Sequence, residues 1–380
     1  MSYIAGKTIV LGVCGSIAAV ETIRLIHALR RKGAVVQPVM STASCSIIHP
    51  DALTYASGKE TITRITGHVE HVYYCGDEGL ADLLLIAPCT ANTISKIAGG
   101  IDDTTVTTFA TTALGREMPV AIVPAMHHAM FRHTIVMKNL NALKEAGIAV
   151  IGPRIEEGKA KFAHQDEIVL WCERLLSGCP LSGKKVLITS GRCEEPVDDI
   201  RVLTTRSSGI MGQELAFEAF RLGAEVTILH RDTIISCRNI RISTAASMYD
   251  AVEAEIKENK PDIYISAAAI SDFAPVKVPG KIPSGEPVSI TLDPLPKILD
   301  AVLGNIPIVV GFKLGDDSFQ GAEKMLDAGV TMALANTPDN LGSSTGSYIL
   351  LDKNSRTKLS GSKQDIARQI FRKILYSDIQ

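Results

Sequence analysis

Apolar residues fall into two alternating patterns along this chain: short unbroken runs, and longer stretches with a period near 3.6. "KTIVLGV" at residues 7–13 is an unbroken run bounded by turn residues, as expected of a strand buried on both faces. "SIAAVETIRLIHALRRKG" follows with helical spacing, which places Ile17, Val20, Ile23, Ile26, Ala28 and Leu29 near one side. Arg30, Arg31 and Lys32 suit a helix C-terminus, and Gly33 stops the helix. "AVVQPVMS" is the next strand, so the opening residues predict one βαβ unit. Strand-like runs recur at "LADLLLIAP", "PVAIVPAM" and "IAVIGP", with helix-like "TANTISKIAGG" and "VMKNLNALKEAG" among them. Such alternation predicts a parallel, doubly wound α/β sheet.

The pattern then breaks and restarts. "SGCPLSGK" at 177–184 is rich in Gly, Ser and Pro. After it come the strand "KKVLITSG", the helix "GIMGQELAFEAFRLGA" and the strand "EVTILHR". Further strands are "DIYISAAAI", "PIVVGFK", "TMALAN" and a "YILLDK…TKLS" hairpin, and "QDIARQIFRKIL" is a closing helix. We therefore expect two Rossmann-like α/β domains, 1–180 and 181–380. The length of 380 residues agrees with two or three domains at roughly 150 residues each.

Composition narrows the function classes. With 39 basic against 41 acidic residues and no basic run interleaved with aromatics, nucleic acid is a poor partner. One Trp and 5% aromatics leave few stacking platforms for single strands. No apolar run approaches the roughly 18–20 residues of a membrane span. The N-terminus lacks a basic n-region and is broken by Gly12 and Gly15, so it reads as strand and loop rather than a signal peptide. Eight scattered cysteines without a CxxC spacing suggest reduced thiols and a cytoplasmic protein.

Candidate chemistry gathers where strands meet loops. "GVCGSIAA" puts glycines and Ser16 at a helix N-terminus, which suits either a phosphate or an ordinary tight turn. It is not GxGxxG, and the second strand ends "PVMS" without an acidic residue to hold a ribose, which counts against NAD. Ser41, "APCTANT" at 87–93 and "PAMHHAM" at 124–130 lie at the carboxyl edge, where polar groups could hold a flat heterocycle and its ribityl chain. Helix capping is the competing explanation, above all for Thr90. His68 and His71 are three residues apart, but no further metal-ligand pattern accompanies them. In the second half, Ser207, Ser208, Gly209 and Gly212 suit a phosphate held by backbone amides. Asp272 ends a strand, and Lys281 lies in a Gly/Pro-rich loop as a mobile point charge. Glu194, Glu195, Asp198 and Asp199 read most simply as a solvated acidic loop.

"GSIAA", an "HV" before "ADLLLIAPCTANTISKIAGGIDD", and "PAMHHAM", in that order, resemble the flavin-dependent cysteine decarboxylase family over residues 5–175. The resemblance implies a flavodoxin-like domain with FMN between subunits of a trimer and a histidine as base. It implies oxidation of a cysteinyl thiol to a thioaldehyde, loss of CO₂, and reduction of the enethiol. Carried over by position, Gly15, Ser16, Ile17, Ser41, Pro88, Thr90, Ala91, Asn92 and Thr107 would hold FMN, and Pro124, Ala125, Met126, His127 and Met130 the substrate. His71 is the implied base, with His68 a nearby residue. Two departures stand out. The usual PAMN reads PAMH, with His127 in place of Asn, and the flap "EEGKAKFAHQDE" at 156–167 has no cysteine to donate a proton. His164 is a candidate donor there, against the plain reading of a solvated loop histidine.

The second half resembles phosphopantothenate–cysteine ligase through "TSGRCEEPVDDIR", "SSGIMG", "AAAISDF", "KI" and "VGFK". Together the halves resemble the bifunctional family with phosphopantothenoylcysteine decarboxylase first and ligase second. The implied reaction uses CTP to form an acyl-cytidylate that cysteine attacks, with Mg²⁺ on the triphosphate. Gly191, Ser207, Ser208, Gly209, Met211, Gly212, Asp272, Lys281, Gly311 and Phe312 would line the CTP site, with Lys281 stabilising phosphate charge. The family's SNxSSG reads "TTRSSG", which leaves the Asn role to Thr205 or Arg206, and Pro283 replaces a Lys. The resemblance implies small-molecule substrates and a homo-oligomer, with trimeric flavin and dimeric ligase domains. A flavin-binding regulatory subunit that kept the fold and lost one or both activities is the alternative; a flavin prenyltransferase-like enzyme is disfavoured by the ligase half.

Overall fold

The structure is a computed structural model and describes residues 2–156, 158–340 and 342–377. The chain divides into two compact units, Met1–Gly178 and Cys179–Gln380. Each is a doubly wound, Rossmann-like α/β layer structure.

In the first unit, β1 (Thr8–Val13), α1 (Thr22–Arg31) and β2 (Val35–Met40) are followed by α2 (Thr42–Cys45), α3 (Pro50–Ser57) and α4 (Glu70–Cys75). Then come β3 (Leu83–Cys89), α5 (Ala91–Ala98), α6 (Thr105–Gly115), β4 (Val120–Pro124), α7 (His128–Phe131) and α8 (Thr134–Glu145). Short β5 (Ala149–Val150), the hairpin β6 (Arg154–Glu156) and β7 (Lys159–Lys161), and α9 (Gln165–Leu175) complete it. The sheet order is β2-β1-β3-β4-β5, all parallel, which is the flavodoxin-like order. Strand alternation feeds two cores: Ile9, Leu11 and Leu85 join one cluster, while Val10, Leu84 and Ile86 join another. This explains the unbroken apolar runs, because both faces are covered.

One element departs from its periodicity. Ser16 accepts from the Ala18 amide and starts a separate 3₁₀ turn, Ile17–Glu21, so α1 begins only at Thr22. The tighter winding takes Ile17 and Val20 off the buried stripe. They are 78% and 48% exposed, and the core face is carried by Leu25, Ile26 and Leu29.

In the second unit, β8 (Lys185–Arg192), the ribbon β9 (Glu194–Pro196) and β10 (Val202–Thr204), α10 (Ile210–Arg221), β11 (Glu225–His230) and β12 (Arg238–Arg241) come first. Next are α11 (Ala245–Asn259), β13 (Ile263–Ala269), the ribbon β14 (Phe273–Pro275) and β15 (Leu292–Pro294), and α12 (Ile298–Val302). β16 (Ile308–Leu314), α13 (Ser318–Asp327), β17 (Met332–Asn336), β18 (Thr345–Leu351), β19 (Arg356–Ser362) and α14 (Lys363–Ser377) follow. The sheet runs β12-β11-β8-β13-β16-β17 in parallel, with β18 and β19 antiparallel at one edge.

Chain direction across each sheet reverses once, between β1 and β3 in the first unit and between β8 and β13 in the second. Loops diverge there at the strands' carboxyl ends and leave a crevice. Among the described residues no helix is long and apolar enough to cross a membrane.

Candidate functional site

The crevice between β1 and β3 opens into a cavity of about 870 Å³. Gly15 and Ser16 line it after β1, Ser41 after β2, and Thr90, Ala91 and Asn92 after β3. Ser16, Ser41 and Thr90 are N-caps: their oxygens accept from the amides of Ala18, Ser44 and Thr93. Capping and cavity lining therefore coincide, and capping brings several helix N-termini to one wall. Gly15 has no room for a side chain, since a Cβ there would lie 2.6 Å from the Ala43 Cβ. Ala125, Met126 and Met130 form the wall after β4. Thr63, Arg64, Asp102, Thr104 and Thr105 also line the cavity and were not anticipated. Thr104 carried a readable signal, because it opens α6 with a capping box closed by Thr107. Arg64 carried none; it reaches the wall through the bridge between Val39 and Ile62.

Several expected residues do not line this cavity. Thr107 is 1% exposed, because its hydroxyl turns back to accept from the Thr104 amide at 2.9 Å. Pro88 and Pro124 are buried within β3 and β4. Ile17 projects into solvent, and His127 is exposed, with its Nδ1 accepting from the Ala129 amide at 3.3 Å. Gly15→Val, whose side chain would push Ala43 and the wall beside Ser41 out of place, is expected to lose visible flavin absorbance; folded variant that retains flavin would show that this cavity is not the flavin site.

The two histidines are separated by Val69, a β-branched residue held at φ 47°. Left-handed backbone at such a residue is costly and marks a constrained turn. The turn leaves His68 exposed and starts α4, on which His71 packs edge-on to Phe109 at 6.5 Å between ring centroids. The His71 Nδ1 is buried with no hydrogen-bond partner. His71 is not part of the cavity lining of a single chain, but α6, against which it packs, supplies Thr105 and Thr108 to that lining. No group of three or more metal-ligating side chains occurs among the described residues.

The β6–β7 hairpin adjoins the segment after β4, where the Met126 amide donates to the Ala160 carbonyl at 3.3 Å. Glu157, within the flap stretch, lies outside the described residues. The Arg154 guanidinium lies 2.9 Å from the His164 Nε2. That nitrogen must therefore be an acceptor, which is poor placement for a proton donor.

In the second unit, Gly191, the residue before the last of β8, has φ 81°, and Gly209 precedes α10 at φ 73°. Both face the His230 ring; a Cβ on Gly209 would lie 2.6 Å from its Cε1. At Gly212 a Cβ would lie 2.1 Å from the Ser190 Oγ. These glycines let α10 pack on the strand with its N-terminus toward the crevice. Ser207 Oγ accepts from the Gly209 amide at 3.4 Å, and Ser208 is exposed beside it. The Thr205 hydroxyl donates to the Ala269 carbonyl at the end of β13, 3.4 Å away. Met211 and Gly311 are buried, Phe312 packs edge-on to Tyr348, and Asp272 is exposed.

The acidic run is only partly solvated: Asp199 is exposed, but Glu195 and Asp198 are buried. Glu195 is 4% exposed and accepts from the Ala245 amide at the start of α11. Asp198 is 2% exposed and accepts from the amides of Ile200, Arg201 and Ile282. Asp199 accepts from the Gly280 amide at 2.9 Å and pairs with Lys277. These bonds fix both neighbours of Lys281, whose side chain remains exposed. Burial opposes ionisation of Asp198, but the amides of Ile282, Ile200 and Arg201 and the Arg201 guanidinium hold its carboxyl far below the usual range. A depressed folded-state pKa adds stability above the unfolded value of about 3.9, which is lost as pH falls toward the folded value. Asp198→Asn is expected to flatten the second unit's acid-limb dependence of Tm on pH. An unchanged acid limb would mean that Asp198 is not the linked group.

Two family profiles match this chain. The flavoprotein family covers residues 2–177, and the C-terminal domain of the DNA/pantothenate metabolism flavoproteins covers residues 181–377. The chain is thus a flavoprotein with a second, pantothenate-metabolism domain. The coenzyme A biosynthesis bifunctional protein CoaBC of Thermococcus kodakarensis is 43% identical over 98% of this chain and 95% of its own length. The protein of that name from Methanocaldococcus jannaschii is 34% identical over 97% and 93%. The one from Vibrio vulnificus is 33% identical over 82% and 81%. The chain belongs to the CoaBC family of bifunctional coenzyme A biosynthesis enzymes.

Proposed function

We propose that this chain carries out two consecutive steps of coenzyme A formation in the cytoplasm. The second unit joins cysteine to 4′-phosphopantothenate, with CTP activating the carboxyl as an acyl-cytidylate and Mg²⁺ offsetting triphosphate charge. The first unit decarboxylates 4′-phosphopantothenoylcysteine to 4′-phosphopantetheine. The observation that carries this reading is the switch-point cavity, whose lining draws on all three sequence motifs of the first half.

The cavity fits FMN. Gly15 lets the loop after β1 close against Ala43 at the cavity edge, and the hydroxyls and helix N-termini at Ser16, Ser41 and Thr90 suit a phosphate and ribityl chain. Met126 and Met130 offer an apolar wall for a flat ring. When bound, FMN supplies two-electron chemistry at the cysteinyl thiol. His71 moves the proton; its buried, unpaired Nδ1 awaits a partner from substrate or a second copy. Exposed Ile17, beside Ser16, and Val72 and Tyr73, beside His71, support assembly of first units into a homotrimer. Ile200, Val202 and Leu203 support pairing of the second units.

In the second unit, the Gly209 end of α10 and Lys281 would hold the triphosphate, with Thr205, bonded to the Ala269 carbonyl, and Asp272 near the carboxyl end of β13. Supplying 4′-phosphopantothenoylcysteine without nucleotide should release CO₂ and give 4′-phosphopantetheine. Supplying 4′-phosphopantothenate and cysteine should give ligation with CTP. No conversion of the cysteinyl compound by flavin-loaded protein would overturn the reading in favour of a regulatory flavoprotein.

A further inference from the structure

Cys14 and Cys89 lie at the carboxyl ends of the two strands that flank the switch point, each immediately before residues that line the cavity. The regular ladder pairs Gly12 with Ile86, and a one-residue register shift in β3 between Ile86 and Cys89 follows; beyond it the Cys14 amide donates to the Pro88 carbonyl at 3.2 Å, which sets Cys14 opposite Cys89. The two thiols are 1% and 0% exposed and belong to the same apolar cluster, so both project from one face of the sheet. Neighbouring strands run about 4.8 Å apart, inside the roughly 4.4–6.8 Å Cα separation that a disulfide spans. Neither flavin chemistry nor the ligase reaction uses these sulfurs.

We propose that Cys14 and Cys89 form a reversible disulfide, and that this bridge weakens flavin binding in the adjoining cavity. The inference rests on the reading that the flavin occupies this cavity.

Cys14 is the attacking sulfur. The Cys89 thiol donates to it and favours its thiolate; burial opposes this, and the Thr93 hydroxyl, at 3.2 Å, and the Thr90 amide reinforce it. Burial instead pushes the Cys89 thiol up. With a peroxide as oxidant, the Cys14 thiolate attacks one peroxide oxygen, giving a sulfenic acid and, after protonation, water. The Cys89 sulfur then attacks the Cys14 sulfur, its proton leaves with the sulfenic hydroxyl as a second water, and the S–S bond forms. Two thiols lose two electrons and two protons in all, and one peroxide becomes two waters. Cys75, in the same cluster, is a poor competitor, because burial raises its thiol to about 12 against the pull of Arg116.

The bridge must disturb the site because the strand ends have no slack. Cβ atoms in a disulfide stand about 3.8 Å apart, closer than side chains projecting in parallel from neighbouring strands. Closing that gap draws Gly15 and Thr90 together, yet Gly15 already abuts Ala43. It also removes the Thr93–Cys14 hydrogen bond that ties the first turn of α5 to β1. Such a strained bridge is easily reduced.

The full-length protein, reduced or treated with hydrogen peroxide, is digested for peptide mass spectrometry, and its FMN affinity is titrated by flavin fluorescence. The expected result is a peptide linked through Cys14 and Cys89, two hydrogens lighter than its parts, with FMN bound about tenfold more weakly. By reciprocity, bound FMN shifts the pair's midpoint in a glutathione buffer by about 30 mV toward the reduced form. Cys89→Ala, and Cys14→Ser if that variant folds poorly, should lose both the linked peptide and the peroxide effect. Absence of the linked peptide in flavin-binding protein, or a linked peptide with unchanged FMN affinity, overturns this proposal alone. Protein that binds no FMN in either state overturns the cavity assignment with it.

Discussion

His71→Asn is expected to lower decarboxylation of 4′-phosphopantothenoylcysteine by about 10³-fold, the usual scale of a lost general acid–base group, and to leave CTP-dependent ligation intact. His71 has a buried nitrogen with no partner, which is costly unless a substrate or second copy supplies one. Asn preserves polarity but cannot carry a proton at neutral pH, so the effect should fall on kcat rather than on flavin content. His68→Asn is the control. That ring is exposed, ahead of the Val69 turn, and its loss should change neither activity. Equal losses in the two variants would assign the effect to the turn rather than to a proton carrier.

Lys281→Met is expected to cut ligation by about 10²–10³-fold, the effect of removing one preorganised charge-stabilising group, with decarboxylation of supplied intermediate unchanged. Preorganisation is the reason for the large expectation. The amides of Gly280 and Ile282, on either side of Lys281, are held by the carboxylates of Asp199 and Asp198. An ammonium on such an anchored segment needs little reorganisation when triphosphate charge develops beside it. Pyrophosphate release with CTP, followed beside mass spectrometry of the cysteinyl product, reads the effect. Near-normal release would remove Lys281 from the triphosphate site.

The contrast between the unbroken apolar runs and the acidic run shows where the sequence was readable. Unbroken apolar runs such as 83–86 and glycine turns such as Gly15 are local signals, so the two sheets and their carboxyl-edge loops were legible. Asp198 and Glu195 were misread because adjacent charges look solvated until distant amides, at Ile282 and Ala245, are brought to them. Ile17 and Val20 matched a helical stripe, and only the extra 3₁₀ turn capped by Ser16 exposes them. Arg64 joins the cavity through a bridge formed by its neighbour Ile62, which no spacing rule anticipates. His164 looked available in a loop without cysteine, but Arg154 occupies its Nε2.

The most direct test of two chemistries in one chain is a single incubation of purified, FMN-loaded protein with Mg²⁺, CTP, 4′-phosphopantothenate and cysteine, followed over time by mass spectrometry. The account predicts transient 4′-phosphopantothenoylcysteine and then 4′-phosphopantetheine. It further predicts that His71→Asn stops at the first product, and that adding Lys281→Met protein to that mixture restores the second. A flavin-loaded protein that yields neither compound would contradict it.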